Sequence, residues 1–114
     1  TDSQIFVHAG VNEDAGGDWK CRTSDSVFLG KFPAMQGKFY KTVVAGHVGT
    51  GTWSLADDRN YHDVFYDGAS HYYIDGSVYK GGKLLLLAYD EESRTYYQVE
   101  NSRMIPVRTF DKYR

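Results

Sequence analysis

Residues 42–49 read TVVAGHVG, a run of β-branched and small apolar residues in which His47 follows Gly46 and comes two residues before Gly49. Such a run predicts a β-strand over residues 41–47, followed by a sharp turn. A second run, IFVHAG at residues 5–10, predicts a strand over residues 4–10. Each predicted strand therefore carries one histidine close to its end, His47 in the first case and His8 in the second.

The placement of these two histidines makes them the main candidates for chemistry. A side chain at the end of a strand lies at the rim of a sheet, where a rigid strand aims it and a loop exposes it. Glycine beside such a residue lets the backbone bend and lets a ligand approach closely. Neutral imidazole is the commonest protein ligand for borderline metals. We therefore expect His8 and His47 to meet at one metal site.

The other segments predict an α+β chain that is mostly β. Residues 11–21 are rich in turn formers and predict a loop. Ser24 or Asp25 predicts the cap of a short helix that runs to about Phe32, where Pro33 interrupts it.

The second half of the chain predicts a β-meander. Its strands are expected at residues 63–66, 71–75, 83–89 and 95–99, separated by turns at 67–70, 81–82 and 90–93. The strand over 83–89 is almost continuously apolar and is expected to be buried on both faces. The tail over 101–114 is expected to be partly ordered, with 104–107 docked on the body and 111–114 frayed.

Composition limits the possible functions. The chain has 114 residues, a formal charge of −2 and no basic stripe, which argues against a partner of duplex nucleic acid. No apolar run approaches the length of a membrane span. The single cysteine cannot form an internal disulfide, so a cytoplasmic location is expected. Because the chain starts at Thr1 and enters a strand almost at once, we expect it to be a fragment with partner elements upstream.

Four motifs in order resemble the C-terminal half of a calcineurin-like metallophosphoesterase. They are FVHAGV at 6–11, AGHVGTG at 45–51, YYIDG at 72–76 and GGKLLLL at 81–87. The similarity is to bacterial enzymes of the serine/threonine protein phosphatase and diadenosine tetraphosphatase type. This resemblance implies a four-layer α/β/β/α sandwich, of which residues 1–114 would form the C-terminal part, without the N-terminal metal-binding half.

The resemblance also implies a role for the two histidines. In this family the corresponding residues bind one metal of a dinuclear centre of Mn, Fe or Zn, which assigns His8 and His47 as metal ligands.

The chain departs from the family pattern in two ways. Val48-Gly49 stands where the family usually has Thr-Pro, and the family's GDxH, GDxxD and GNHE motifs do not occur in the chain. Two imidazoles are too few to hold a catalytic metal tightly. We therefore expect the chain alone to bind metal weakly or not at all, and to be inactive.

Other polar residues are secondary candidates. Relatives often carry an arginine shortly after a tryptophan that holds a phosphate oxygen through paired hydrogen bonds, which suggests Arg22; the alternative is a solvated loop arginine. Lys31 is a similar, weaker candidate. Asp75 is a candidate to orient a ligating imidazole. His62 and His71 are interpreted as histidines satisfied within their own strands.

The leading functional hypothesis is that the chain is part of a metal-dependent phosphatase that hydrolyses phosphomonoesters. The expected substrate is a phosphoprotein or a nucleotide, and the expected partner is the missing N-terminal half. A dinucleoside polyphosphate hydrolase is the alternative within the same superfamily. A non-catalytic module presenting Tyr66, Tyr72, Tyr73, Tyr96 and Tyr97 to a sugar or peptide, and a metal-free two-histidine hydrolase, stay open. An uncovered edge on the strand over 4–10 would also permit homo-oligomers.

Overall fold

The computed structural model describes residues 2–112. The strands in this range are β1 Gln4–Val7, β2 Thr42–Gly49, β3 Phe65–Tyr66, β4 His71–Asp75, β5 Leu87–Asp90, β6 Thr95–Glu100 and β7 Arg103–Pro106. The helices are α1 Trp19–Arg22 and α2 Asp25–Gly30, with 3₁₀ turns at Glu13–Asp18 and Val78–Lys80. The expected class, α+β and mostly β, is confirmed. In the part of the chain so described, no helix has the length and apolar character to cross a membrane.

The first sheet has the strand order β1-β2-β4-β3, in which β1, β2 and β4 are parallel and β3 runs antiparallel to β4. Strand β2 is central because both of its faces are apolar. Val43 and Ala45 point to one side and Val44 to the other, and all three are buried. Parallel strands place their carboxyl ends at one edge of the sheet, which brings the ends of β1 and β2 together.

The two faces of this sheet are covered differently. On one face Val43 packs in a cluster with Trp19 of α1 and Phe28 of α2. On the other face Val44 packs in a cluster with Tyr96 of β6, which belongs to the second sheet. That second sheet has the antiparallel order β5-β6-β7. The described chain therefore forms a layer of short helices on a sheet, with a second sheet behind it.

The predicted meander is wrong at the connection between its second and third strands, whereas its first and last hairpins form as β3–β4 and β5–β6. Strand β4 pairs with β2 and β3, whereas β5 begins only at Leu87 and belongs to the other sheet. The reason is a tight reversal over residues 76–83, in which a Cβ on Gly82 would lie 1.8 Å from the Gly76 carbonyl oxygen. Burial on both faces is also wrong, because Leu85 is buried but Leu84 is 80% exposed.

The loop predicted for residues 11–21 is also wrong, since a 3₁₀ turn and α1 occupy most of it. Tertiary contacts order this turn-rich segment. The hydroxyl of Thr23 accepts a hydrogen bond from the Asn12 amide at 2.9 Å and donates to the Trp19 carbonyl at 2.5 Å. Helix α2 is confirmed, with Ser24 as its cap accepting a hydrogen bond from the Val27 amide at 3.3 Å.

The tail is more regular than predicted. Strand β7 pairs with β6, although the side chains of β7 remain exposed, and Val107 after it packs on the core cluster of Val44. The Phe110 ring packs against the rings of Tyr61 and Phe65, with centroids 5.0 and 5.2 Å away. Of the predicted frayed end, residues 113–114 lie outside the described range.

A buried charge cluster joins the turn before β4 to the segment that follows β1. The His71 imidazole is 1% exposed and lies between two carboxylates. Its Nδ1 is 2.8 Å from Asp67 Oδ2 and its Nε2 is 2.7 Å from Glu13 Oε2. Burial lowers the pKa of His71, but the hydrogen bonds to Asp67 and Glu13 outweigh it and raise the pKa to about 9. The imidazole is therefore a cation that donates from both nitrogens.

This cluster predicts a loss of stability at alkaline pH. A histidine whose pKa rises from 6.5 in the unfolded chain to about 9 in the folded chain stabilises the fold fully below pH 6.5. That contribution, about 3 kcal/mol, is lost as the pH rises from 6.5 through about 9. Urea midpoints measured across this range should fall for the native chain and stay nearly flat for His71→Leu. Parallel curves for the two proteins would contradict the assignment.

Candidate metal site

The structure brings His8 and His47 together at the carboxyl edge of the first sheet. Strands β1 and β2 are parallel with Val7 opposite Ala45, and the Gly46 amide donates a 2.8 Å hydrogen bond to the His8 carbonyl. The two imidazole centroids are 5.1 Å apart with their planes at 54°. Both side chains are exposed, so the pair is open to a ligand.

An irregular backbone at His47 makes this meeting possible. Successive side chains of a strand alternate between faces, and the register sets His8 opposite Gly46. A regular strand would therefore turn His47 to the face opposite His8. Instead, the register with β4 shifts between Ala45 and Gly49, and His47 has a left-handed φ of 65°. Non-glycine residues rarely adopt this conformation, and such strain concentrates at functional sites.

This strain gives a prediction that compares two variants of His47. His47→Gly removes the penalty of a Cβ at positive φ, whereas His47→Ala keeps it. We expect the glycine variant to have the higher free energy of unfolding, by about 1 kcal/mol, although both variants lack the imidazole. Urea denaturation of the pair checks this. An alanine variant as stable as the glycine variant would show that the left-handed backbone carries no strain.

The ring separation fits two imidazoles bound to one ion. A metal–nitrogen bond of about 2.1 Å places the ion about 3.2 Å from each centroid. Centroids 5.1 Å apart then subtend about 105° at the ion, close to a tetrahedral angle. Within residues 2–112, no group of three or more His, Cys, Asp or Glu side chains could hold a metal. Two imidazoles could supply only two ligands, so an ion held by this pair would need further ligands from outside the described residues.

The two histidines line a cleft whose other walls are mostly apolar. Among the lining residues, Phe6 is 64%, Val78 55% and Leu84 80% exposed, and we call these three the apolar rim. Lys83 also lines the cleft, but its ammonium is engaged by Asp63 at 2.8 Å and Glu100 at 3.1 Å.

Asp75 lies in the same cleft, and its carboxylate holds the neighbouring loop. Its Oδ1 accepts a 2.9 Å hydrogen bond from the Ser77 amide, and its carbonyl accepts one from Thr50 at 2.8 Å. Neither the His8 nor the His47 imidazole makes a hydrogen bond to another side chain or to the backbone within residues 2–112. Asp75 therefore shapes the loop beside the site, while the proposed orientation of an imidazole stays a prediction.

The remaining candidates are not gathered at the cleft. Arg22 is exposed at the end of α1, and its carbonyl accepts a hydrogen bond from the Asn12 side chain. Lys31 packs its stem against Gly10, two residues beyond His8, and donates from Nζ to the Val11 carbonyl at 2.6 Å.

Sequence reasoning missed the apolar rim beside the site, and of the tight loop over residues 77–82 it predicted only the turn at 81–82. The glycines at 49, 76 and 82 are the sequence signal of the close packing there. A Cβ on Gly49, for example, would lie 2.5 Å from the Ser77 hydroxyl oxygen. Comparison with protein-family models, curated proteins and solved structures finds no match to the chain.

Proposed function

We propose that this chain is the C-terminal part of a cytoplasmic, dinuclear metal-dependent phosphatase of the calcineurin-like type, a four-layer sandwich of which it supplies one part. The observation that carries the proposal is the pairing of His8 and His47 at one sheet edge, with centroids 5.1 Å apart. The resemblance assigns these same two residues to one metal of the centre. The proposed substrates are phosphomonoesters, including phosphoproteins.

In the proposed enzyme, neutral imidazoles of His8 and His47 would bind one of two divalent ions. Bound metal ions of this kind polarise a phosphoryl oxygen and lower the pKa of a coordinated water. The hydrogen bond from the Gly46 amide to the His8 carbonyl fixes the two strand ends before an ion arrives. Ordering the ligands in advance reduces the cost of binding.

A further polypeptide segment is the partner that the proposal requires. Strand β1 is an edge strand in the described range, and Phe6 on its surface belongs to the apolar rim. Exposed strand edges and contiguous apolar side chains both favour association with another chain segment. These features support a missing half that covers the cleft and completes the metal shell.

The test uses the histidines as separate reporters. Mn²⁺ added to the isotope-labelled chain should broaden the side-chain NMR signals of His8 and His47 at substoichiometric amounts. His71 is the internal control, because it is buried in its charge cluster. Broadening of the His71 signals as strong as that of His8 and His47, or broadening of only one of those two, would contradict the proposal.

Activity gives a second test. The isolated chain with Mn²⁺ should not hydrolyse p-nitrophenyl phosphate, since the centre lacks most of its ligands. Robust turnover would refute the view that this chain is half of a site. RNA cleavage that resists EDTA would instead favour the metal-free two-histidine hydrolase. A reading frame that carries GDxH, GDxxD and GNHE upstream of Thr1 would support the phosphatase directly.

The alternative of an aromatic binding face lacks support from the tyrosines named for it. Tyr72 is 7% and Tyr73 is 2% exposed, and they belong to different core clusters. Tyr72 stacks on Tyr66 and on Tyr96 at 4.2 Å in each case, between the two sheets. These rings stabilise the core by packing.

A further inference from the structure

Two exposed aromatic rings stand together, Phe32 just after α2 and Trp53 in the loop that follows β2. Phe32 is 51% and Trp53 is 65% exposed. Their ring centroids are 5.4 Å apart with planes at 86°, an edge-to-face contact. Burial of a large aromatic side chain stabilises a fold, so two such rings exposed side by side suggest a surface that binds something.

The position of these rings relates them to the metal site. Lys31, which precedes Phe32, contacts Gly10, two residues beyond His8. Thr52, which precedes Trp53, lies 3.6 Å from a Cβ built on Gly49, two residues beyond His47. Each ring therefore follows a residue that touches the chain just after one of the histidines.

Residues next to Phe32 and Trp53 in the chain hold the ring pair in place. Gln36 Nε2 donates a 2.8 Å hydrogen bond to the Ser54 carbonyl, which joins the two loops. Ala34 packs on the core cluster of Ala45 and Val48, and the Tyr73 hydroxyl donates to the Met35 carbonyl at 2.5 Å. The pair is thus a fixed surface, since its supporting segments are anchored to the core.

We propose that the Phe32–Trp53 pair binds a planar aromatic ring in the organic part of a phosphate ester whose phosphate lies at His8 and His47. This inference rests on the proposed function. Stacking of a ring on an exposed aromatic side chain contributes roughly 5- to 150-fold in affinity. A nucleobase and a phenol ring share the necessary chemistry, a flat π-face.

The surroundings favour a single ring over an extended peptide. A bound peptide strand is normally recognised by the backbone of an open sheet edge. The loop that carries Trp53 follows β2, which is a central strand, and Phe32 follows α2. Neither residue stands at an edge where a strand could be added, so side-chain stacking is the interaction that remains.

The chain carries its own control for the test. Trp19 and Trp53 are its two tryptophans. The Trp19 indole donates a 3.0 Å hydrogen bond to the Tyr40 hydroxyl, whereas Trp53 belongs to the exposed pair. With Zn²⁺ present, adenosine monophosphate and phosphotyrosine should shift the Trp53 indole NMR signal and leave Trp19 in place. Phosphoserine, which lacks a ring, should shift neither.

Variants separate the ring pair from general apolar binding. Phe32→Ala should weaken the response of Trp53 to adenosine monophosphate about tenfold. Leu29→Ala removes an apolar side chain of similar exposure, 61%, from α2 and should have no effect. The ligand that binds more tightly, the nucleotide or the phosphotyrosine, identifies the source of the ring, and either supports the proposal.

Two results would overturn the inference. One is an unshifted Trp53 signal at about 200 mM of both ring ligands, the dissociation constant that corresponds to the weakest stacking energy of about 1 kcal/mol. The other is an equal shift of both tryptophans. Failure of the proposed metal site would give a different pattern. Mn²⁺ would then leave the His8 and His47 signals sharp, whereas adenosine without a phosphate would still shift the Trp53 signal.

Discussion

His71→Leu is expected to lower the free energy of unfolding by about 3 to 5 kcal/mol, the largest effect of any single substitution considered for this chain. The variant leaves the carboxylates of Asp67 and Glu13 without the cation that both contact at 2.8 Å or less. Removing one partner from a buried ion cluster leaves an uncompensated charge in a poorly solvating interior. Urea denaturation at pH 6 measures the loss.

Two further variants make this result specific. Adding Glu13→Gln to His71→Leu should recover part of the lost stability, because one of the two stranded charges is then removed. His62→Leu, which alters a half-buried histidine without carboxylate contacts of this kind, should cost much less. A His71→Leu protein within about 1 kcal/mol of the native chain would be inconsistent with a buried histidinium.

The cluster also bears on the site. Glu13 lies a few residues beyond His8, so its bond to His71 fixes the path of the chain as it leaves β1. Asp67 in turn accepts hydrogen bonds from the amides of Ala69 and Ser70, which set the turn before β4. Loss of the cluster should therefore loosen the segment after His8 as well as lower stability.

His8→Ala and His47→Ala should each lower the affinity for Zn²⁺ about 10- to 100-fold, the second largest effect expected. With two imidazoles at one ion, either substitution reduces a chelating pair to a single ligand. Isothermal titration at pH 7.5, where free imidazole is neutral, measures this directly.

The pattern among variants is as informative as the size of the effect. The effects of the two substitutions should not multiply. Because either one already breaks the chelate, the double variant should bind Zn²⁺ with an affinity close to that of each single variant. His62→Ala is the matched control and should leave affinity unchanged. If only one of the two single variants weakened binding, the ion would belong to one histidine and not to the pair.

Much of this arrangement could be predicted because it depends on local patterns. The apolar run before His47 and the shorter one before His8 predicted the two strands, although β2 continues through His47 to Gly49 instead of ending there in a turn. The hairpin at residues 67–70 followed from Asp67-Gly68, whose glycine adopts a φ of 81°.

The failures came where distant contacts override local pattern. Residues 84–87 are all leucine, and periodicity cannot tell a strand buried on both faces from one covered on a single face. The turn before β7 was missed because Asn101 and Ser102 both adopt positive φ without the glycine that usually marks such a turn. The left-handed backbone of His47 likewise has no signature in its own residue type.

The Asp67–His71–Glu13 cluster illustrates the same limit. His71 is a single histidine in a predicted strand, and Glu13 is one of several acidic residues in a predicted loop. Their contact depends on the packing of the segment after β1 against β4, which no spacing in the sequence encodes. The sequence predicted a satisfied histidine, and only the fold revealed the two carboxylates that satisfy it.

The claim that matters most is that His8 and His47 bind one ion between them. Crystals of the chain soaked in Zn²⁺ and measured at the zinc absorption edge test it most directly. We expect one anomalous peak between the two rings, about 2.1 Å from a nitrogen of each. A zinc ion bound to only one of the rings, or no peak at this edge of the sheet, would contradict the account.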